Sequence, residues 1–179
     1  MKSTLKILFV IIFAYGCNAH NRPVEDKLFD CLVDAYKNQG VDILPLLDSL
    51  ENHYIKNGIL KDKSGQAKLD YYKKIAVDGK VPSMDYYSVA DSVEHVKFFQ
   101  TEIDNCISSN GIDSVTLKKS SYYRLMEDFK TMNEVNPKNA AISHTNILTS
   151  SDFEHPYYRA HMLITFTRIY ERERAFIRK

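Results

Sequence analysis

Glycine placement constrains what this chain can fold into more than any other feature. Four of its six glycines follow a run of apolar residues spaced three to four apart. Val24, Leu28, Leu32 and Ala35 lead to Asn38-Gln39-Gly40, and Leu44, Leu47, Leu50 and Tyr54 lead to Asn57-Gly58. Leu69, Tyr72 and Ile75 lead to Gly79, and Val93, Val96, Phe99, Ile103 and Cys106 lead to Asn110-Gly111. A glycine just past an apolar stripe of helical period is the usual helix stop, because it takes the left-handed conformation without a Cβ penalty. Asn-Gly also marks two-residue hairpins, but hairpin strands alternate apolar and polar residues, and these flanks do not.

The helix starts are as well marked as the stops. Pro23 opens the first run, Asp42 can cap the second with Pro45 in its first turn, and Ser64 can cap the third. Pro82 and Ser83 introduce a long central run that carries Cys106, and Ser120 precedes another with Tyr122, Leu125, Met126, Phe129 and Met132. Residues 140–148 read as a short helix. Asp152 is expected to cap the last one, with Pro156 in its first turn and Tyr158, Met162, Phe166 and Ile169 along one face. The reading is an all-α single domain of about seven helices over residues 20–179.

Residues 1–19 do not belong to that domain. Lys2 and Lys6 form a basic start, and the apolar run Ile7 to Tyr15 is about nine residues, the size of a signal-peptide core and far short of the ~20 that span a bilayer. The chain reads as exported and cut, and two cuts compete. Cys17 and Ala19 make a small-x-small site for cleavage before His20, which would release a soluble protein. Alternatively Ala14-Tyr15-Gly16-Cys17 is a lipobox, cut before Cys17 with lipid attached to its sulfur; Tyr15 is bulkier than the usual third member. A lipidated Cys17 would hold the protein by several acyl chains, at about 0.8 kcal/mol per buried methylene.

Removal of residues 1–19 takes Lys2 and Lys6 with it, leaving 22 basic and 23 acidic side chains, a net charge of −1. That balance carries no nucleic-acid footprint. Cys31 and Cys106 remain in either cut form, each in register with an apolar helical stripe. In an oxidising compartment such a pair is readily joined, and closing a loop of 75 residues would contribute on the order of 4 kcal/mol.

Catalytic signatures are missing from the sequence. There is no Gly-x-Ser-x-Gly elbow and no glycine-rich phosphate loop, and paired acids such as Asp26 with Asp30 fall on polar helix faces. No two of the six histidines stand at i and i+4, so no metal site and no cofactor is expected, although His144, Asp152, Glu154, His155 and His161 form the densest set of potential ligands. The candidate binding segment is 153–159, where His155, Tyr157, Tyr158 and Arg159 combine residue types enriched at interfaces; the same residues suit a junction between the last two helices. Tyr-Tyr doublets at 71, 86, 122 and 157 read as core residues of a tyrosine-rich bundle rather than as repeat units. Arg168, Arg172, Arg174, Arg178 and Lys179 make the C-terminal end basic.

The phrases Lys56-Asn57-Gly58-Ile59-Leu60-Lys61-Asp62 and Asp152-Phe153-Glu154-His155-Pro156-Tyr157-Tyr158-Arg159, together with Cys17 and a body rich in Lys, Asn, Ile, Asp and Tyr, resemble uncharacterised exported lipoproteins of Bacteroidota. The resemblance implies an envelope location and brings no active site. Asn18, Ala19, His20 and Asn21 follow the cysteine where surface-exposed members carry acids, which favours a periplasm-facing position. The resulting expectation is a non-enzymatic lipoprotein, membrane-held through Cys17, that serves other envelope proteins as an accessory or scaffold subunit. The alternative is a secreted soluble protein that binds a small apolar or peptide ligand.

Overall fold

The computed structural model describes residues 22–81, 93, 100–132 and 136–177, with backbone alone at 100–101 and 170–177. Nine helices are present among the described residues and no strand. They are α1 (Pro23–Lys37), α2 (Ile43–Lys56), α3 (Gly65–Asp78), α4 (Gln100–Ser109), α5 (Ser114–Lys119), α6 (Ser121–Thr131), α7 (Pro137–Ile147), α8 (Ser150–Phe153) and α9 (Pro156–Ile177). The signal segment, Cys17, His20, the Tyr86-Tyr87 doublet and the helix start expected at Pro82 and Ser83 lie outside the described residues.

The capping chemistry read from the sequence is present in atoms. Asp42 accepts the Leu44 N–H at 3.1 Å, Ser64 the Ala67 N–H at 3.1 Å and Ser120 the Tyr123 N–H at 3.0 Å. Gly40, Gly58, Gly79 and Gly111 all take positive φ, between 63° and 77°. Two helices exceed the expected seven, and both are too short to show a period. Asp113 caps the six-residue α5 by accepting the Val115 and Thr116 N–H groups, each at 2.9 Å. The four-residue α8 changes the role expected for Asp152, which does not cap the last helix. Its carboxylate accepts the Thr149 N–H at 2.7 Å and so closes the start of α8. The cap of α9 is His155, whose Nδ1 accepts the Tyr157 N–H at 3.2 Å.

α9 lies against α1, α2 and α8, while α3 packs on α7 and α8. Tyr158, Met162, Leu163 and Phe166 of α9 are buried, as are Leu28 and Tyr36 of α1, Leu47, Leu50 and Tyr54 of α2 and Tyr71, Tyr72 and Ile75 of α3. With no Trp, tyrosine rings carry the aromatic packing: Tyr71 meets Phe166 edge-on at 5.0 Å, and Tyr72 stacks on Phe153 at 5.2 Å. The tyrosine doublets at 71 and 157 are thus parts of one core. Burial of each such ring or aliphatic side chain stabilises the fold by about 1.5–3 kcal/mol.

Cys31 and Cys106 form a disulfide, S–S 2.04 Å, which ties α1 to α4. A second tight junction joins α3 to α8. Gly65 opens α3 with its N–H donated to the Glu154 carboxylate, and a Cβ at this position would lie 2.0 Å from the Ser150 carbonyl oxygen. Only a residue without a side chain lets the two backbones meet this closely.

Candidate functional site

The four residues of the candidate binding segment are all engaged within the fold. His155 Nδ1 accepts at the start of α9, so Nε2 carries the proton and donates to Asp26 Oδ1 at 3.0 Å. Tyr157 and Tyr158 are buried, and burial raises both phenol pKa values. The Tyr158 hydroxyl donates to Glu25 Oε1 at 2.9 Å. Arg159 reaches α2, where it bonds Asp48 and donates to Glu51 Oε2 at 2.9 Å. Its guanidinium holds the Asp48 carboxyl below the usual range through that hydrogen bond. The segment therefore fastens α9 to α1 and α2, and its four side chains share no outward face.

The potential metal ligands are dispersed in the same way. Among the described residues no three His, Cys, Asp or Glu side chains converge. Asp152 pairs with Arg22 at 2.8 Å, Glu154 accepts from Gly65, and His155 bonds Asp26. His144 and His161 instead stack on one another with ring centres 5.6 Å apart. His144 donates from Nδ1 to the Ala140 carbonyl at 2.7 Å, which leaves Nε2 as a bare, buried acceptor with Tyr72 stacked 4.4 Å away. Burial, with the neighbouring His161 adding to it, pushes the His144 pKa down to about 3; burial alone pushes His161 down to about 4. Both imidazoles are neutral at physiological pH.

What the fold assembles instead is a cleft of about 510 Å³ where the chain enters the domain. Arg22, Pro23, Val24 and Glu25 contribute one wall, Lys119 and Ser120 a second, and Thr149, Ser151 and Asp152 a third, with Arg124 at the rim. That volume is in the range of small-molecule sites. Two carboxylates set its base. Glu25, 2% exposed, accepts the Tyr122 N–H at 3.1 Å on the same oxygen that takes the Tyr158 hydroxyl, and so caps α6 from α1. Asp152 holds Arg22 against the wall. The cations differ in freedom. Arg22 is fixed by Asp152, and Arg124 donates one N–H to the Ile147 carbonyl at 2.9 Å. Lys119 makes no ion pair among the described residues.

Sequence reasoning did not find this cleft, because its residues lie far apart in the chain, but it left a trace. Glu25 stands between Val24 and Leu28 in phase with the buried stripe of α1, whereas Asp26 and Asp30 are out of phase and exposed. An acid in core register is the readable sign of a buried carboxylate.

The geometry defines the class: an all-α, disulfide-linked domain with a polar cleft beside its N-terminus. No protein-family model matches the chain, and comparison with curated proteins and with solved structures gives no match. Among the described residues no helix is long and apolar enough to cross a membrane.

Proposed function

We propose that the chain is an exported accessory protein of the cell envelope, held at the membrane through an acylated Cys17, whose helical domain works by binding. The observation that carries this reading is the Cys31–Cys106 bridge, set behind an N-terminal segment with a basic start, a short apolar core and a cysteine at its end. Disulfides persist in oxidising compartments and are rare in reducing ones. The likeness of Cys17 and the two short phrases to Bacteroidota lipoproteins supports the same location. The side chains of the Phe153–Arg159 segment serve the fold, so binding falls to other surfaces.

A second reading is favoured by one observation. The 510 Å³ cleft suits a small polar ligand, as a soluble protein cut before His20 would need. Fractionation of cells that express the native chain and its Cys17→Ser variant separates the two. Serine keeps the small-x-small site intact, so the variant is still cut before His20. After a high-salt wash that releases electrostatically bound protein, the anchored reading expects the native protein in the membrane fraction and the variant in the soluble fraction with unchanged helical circular dichroism. A native protein already soluble would reject the anchor and leave the soluble reading.

A further inference from the structure

We infer that the cleft at the start of α1 is a phosphate site that takes the headgroup of an anionic phospholipid and so seats the domain on the membrane to which Cys17 tethers it. The inference rests on the proposed anchoring and adds the ligand.

Chain length supplies the first argument. Arg22 is five residues from Cys17, and five extended residues reach at most ~18 Å. An acylated Cys17 lies at the edge of the hydrocarbon, beneath a headgroup layer about 5–8 Å thick on each side. Whatever path residues 18–21 take, Arg22 is within ~18 Å of that edge. The end of the domain that carries the cleft is thus tethered within reach of the bilayer. The opposite end of α1, at Lys37, is about 20 Å further along the helix axis.

Charge and donor chemistry supply the second. Although the mature chain is nearly neutral, the cleft presents Arg22, Lys119 and Arg124. Asp152 neutralises Arg22 at 2.8 Å and fixes its position, while Glu25 takes only neutral donors, the Tyr122 N–H and the Tyr158 hydroxyl, so the formal charge of the lining is +1. Lys119 and Arg124, both exposed, remain as the charge available to an incoming anion. Arg124 uses one N–H on Ile147 and has further donors in its planar fork. The hydroxyls around them are engaged within the fold, Thr116 on Asp113, Ser121 and Thr149 on Asp152, and Ser151 on Thr149, so recognition of an anion falls to the two cations. An apolar ligand would leave the Lys119 ammonium and the remaining donors of Arg124 without partners.

The test uses the purified, processed Cys17→Ser chain, which has no acyl group, so that vesicle binding reports the cleft and not the anchor. Vesicles of phosphatidylcholine alone are compared with vesicles that also contain phosphatidylglycerol. The protein is expected to sediment with the anionic vesicles only, and less as salt is raised. Each basic residue near an anionic surface is worth about fivefold in partitioning, so Lys119→Glu/Arg124→Glu should weaken binding at least about twentyfold. The pair Lys37→Glu/Lys56→Glu makes the same charge change on exposed residues away from the cleft, and it should leave binding within about threefold. Equal losses from the two pairs would overturn the inference in favour of diffuse attraction. No preference for phosphatidylglycerol would overturn it outright. Inorganic phosphate that shifts the Arg22, Val24 and Glu25 amide resonances in a protein that ignores the vesicles would make a free phosphate the ligand and overturn the headgroup. The anchoring proposal fails by a different sign, a native protein whose intact mass begins at His20.

Discussion

Glu25 and Glu51 are both almost fully buried, 2% and 1% exposed, and the fold satisfies them by opposite means. Glu51, on α2, faces charge: Lys68 of α3, itself 1% exposed, stands 2.8 Å from Oε1, and Arg159 of α9 stands 2.9 Å from Oε2. Glu25, on α1, faces dipoles: one backbone N–H at the start of α6 and one tyrosine hydroxyl. The first arrangement clamps three helices. The second leaves room beside it, and there the cleft lies. A buried carboxylate held by neutral donors can border a binding cavity, since its removal strands no buried cation.

Neutralisation of the two acids should separate the regions most sharply. Glu51→Gln leaves the Lys68 ammonium buried without a counter-charge, and breaking a buried pair from one side costs about 3–5 kcal/mol. Arg159 retains Asp48, so Lys68 carries the penalty, and Glu51→Gln/Lys68→Met should recover most of the loss in urea unfolding. A single-variant loss below about 1 kcal/mol would mean that the clamp is no more than a surface pair.

The seam between the two regions is the α3–α8 contact, since α3 bears Lys68 and α8 bears Asp152. Gly65→Ala forces a Cβ onto the Ser150 carbonyl and should cost about 3 kcal/mol, measured by thermal unfolding, by pushing the seam apart. An unchanged melting temperature would show that the two backbones can separate freely.

Acid reaches the interior that both regions share. The unfolded chain takes up protons at His144 and His161 near pH 6.5, while the folded chain does so only near pH 3 and pH 4. Stability from these residues is therefore complete above the unfolded value and falls as pH drops. Between about pH 6.5 and 5 the loss should be on the order of 2–3 kcal/mol, with His161 discounted for its partial exposure, and His144→Phe should flatten the slope. A stability that is flat over this interval would show that the imidazoles are hydrated.

The smallest effect belongs to Glu25. Glutamine keeps a carbonyl oxygen where Oε1 accepts both hydrogen bonds, so Glu25→Gln should lie within about 1 kcal/mol of the native chain. A loss as large as that of Glu51→Gln would erase the distinction.

Much of this architecture was legible because it is written in short-range chemistry. Asp42, Ser64 and Ser120 bond to amides two or three residues ahead, and Gly40, Gly58, Gly79 and Gly111 act on the helix that each one ends. The cysteine pairing is expected from two apolar stripes together with the oxidising compartment proposed for the chain. α5 and α8 escaped because six and four residues cannot display a 3.6-residue period. Asp152 is not the N-cap of α9 but the third residue of α8, where its carboxylate reaches back to the Thr149 N–H, and a helix too short to show a period hides that role. The cleft and the clamp escaped for a different reason: Glu25 with Tyr122, and Glu51 with Lys68 and Arg159, meet only after the chain has folded. The sign they left is phase. Glu51 falls between Leu47 and Tyr54, and Lys68 four residues before Tyr72, each in core register.

The central claim is an exported, Cys17-anchored domain with α1 and α4 covalently joined, and one measurement meets it most directly. The natively expressed protein is denatured without reductant, treated with a thiol-alkylating reagent and weighed intact. The account expects a chain that begins at Cys17, carries lipid and takes up no label. A chain that begins at His20 would contradict the anchor, and a chain that retains residues 1–16 and takes up label at Cys31 and Cys106 would contradict export and the bridge together.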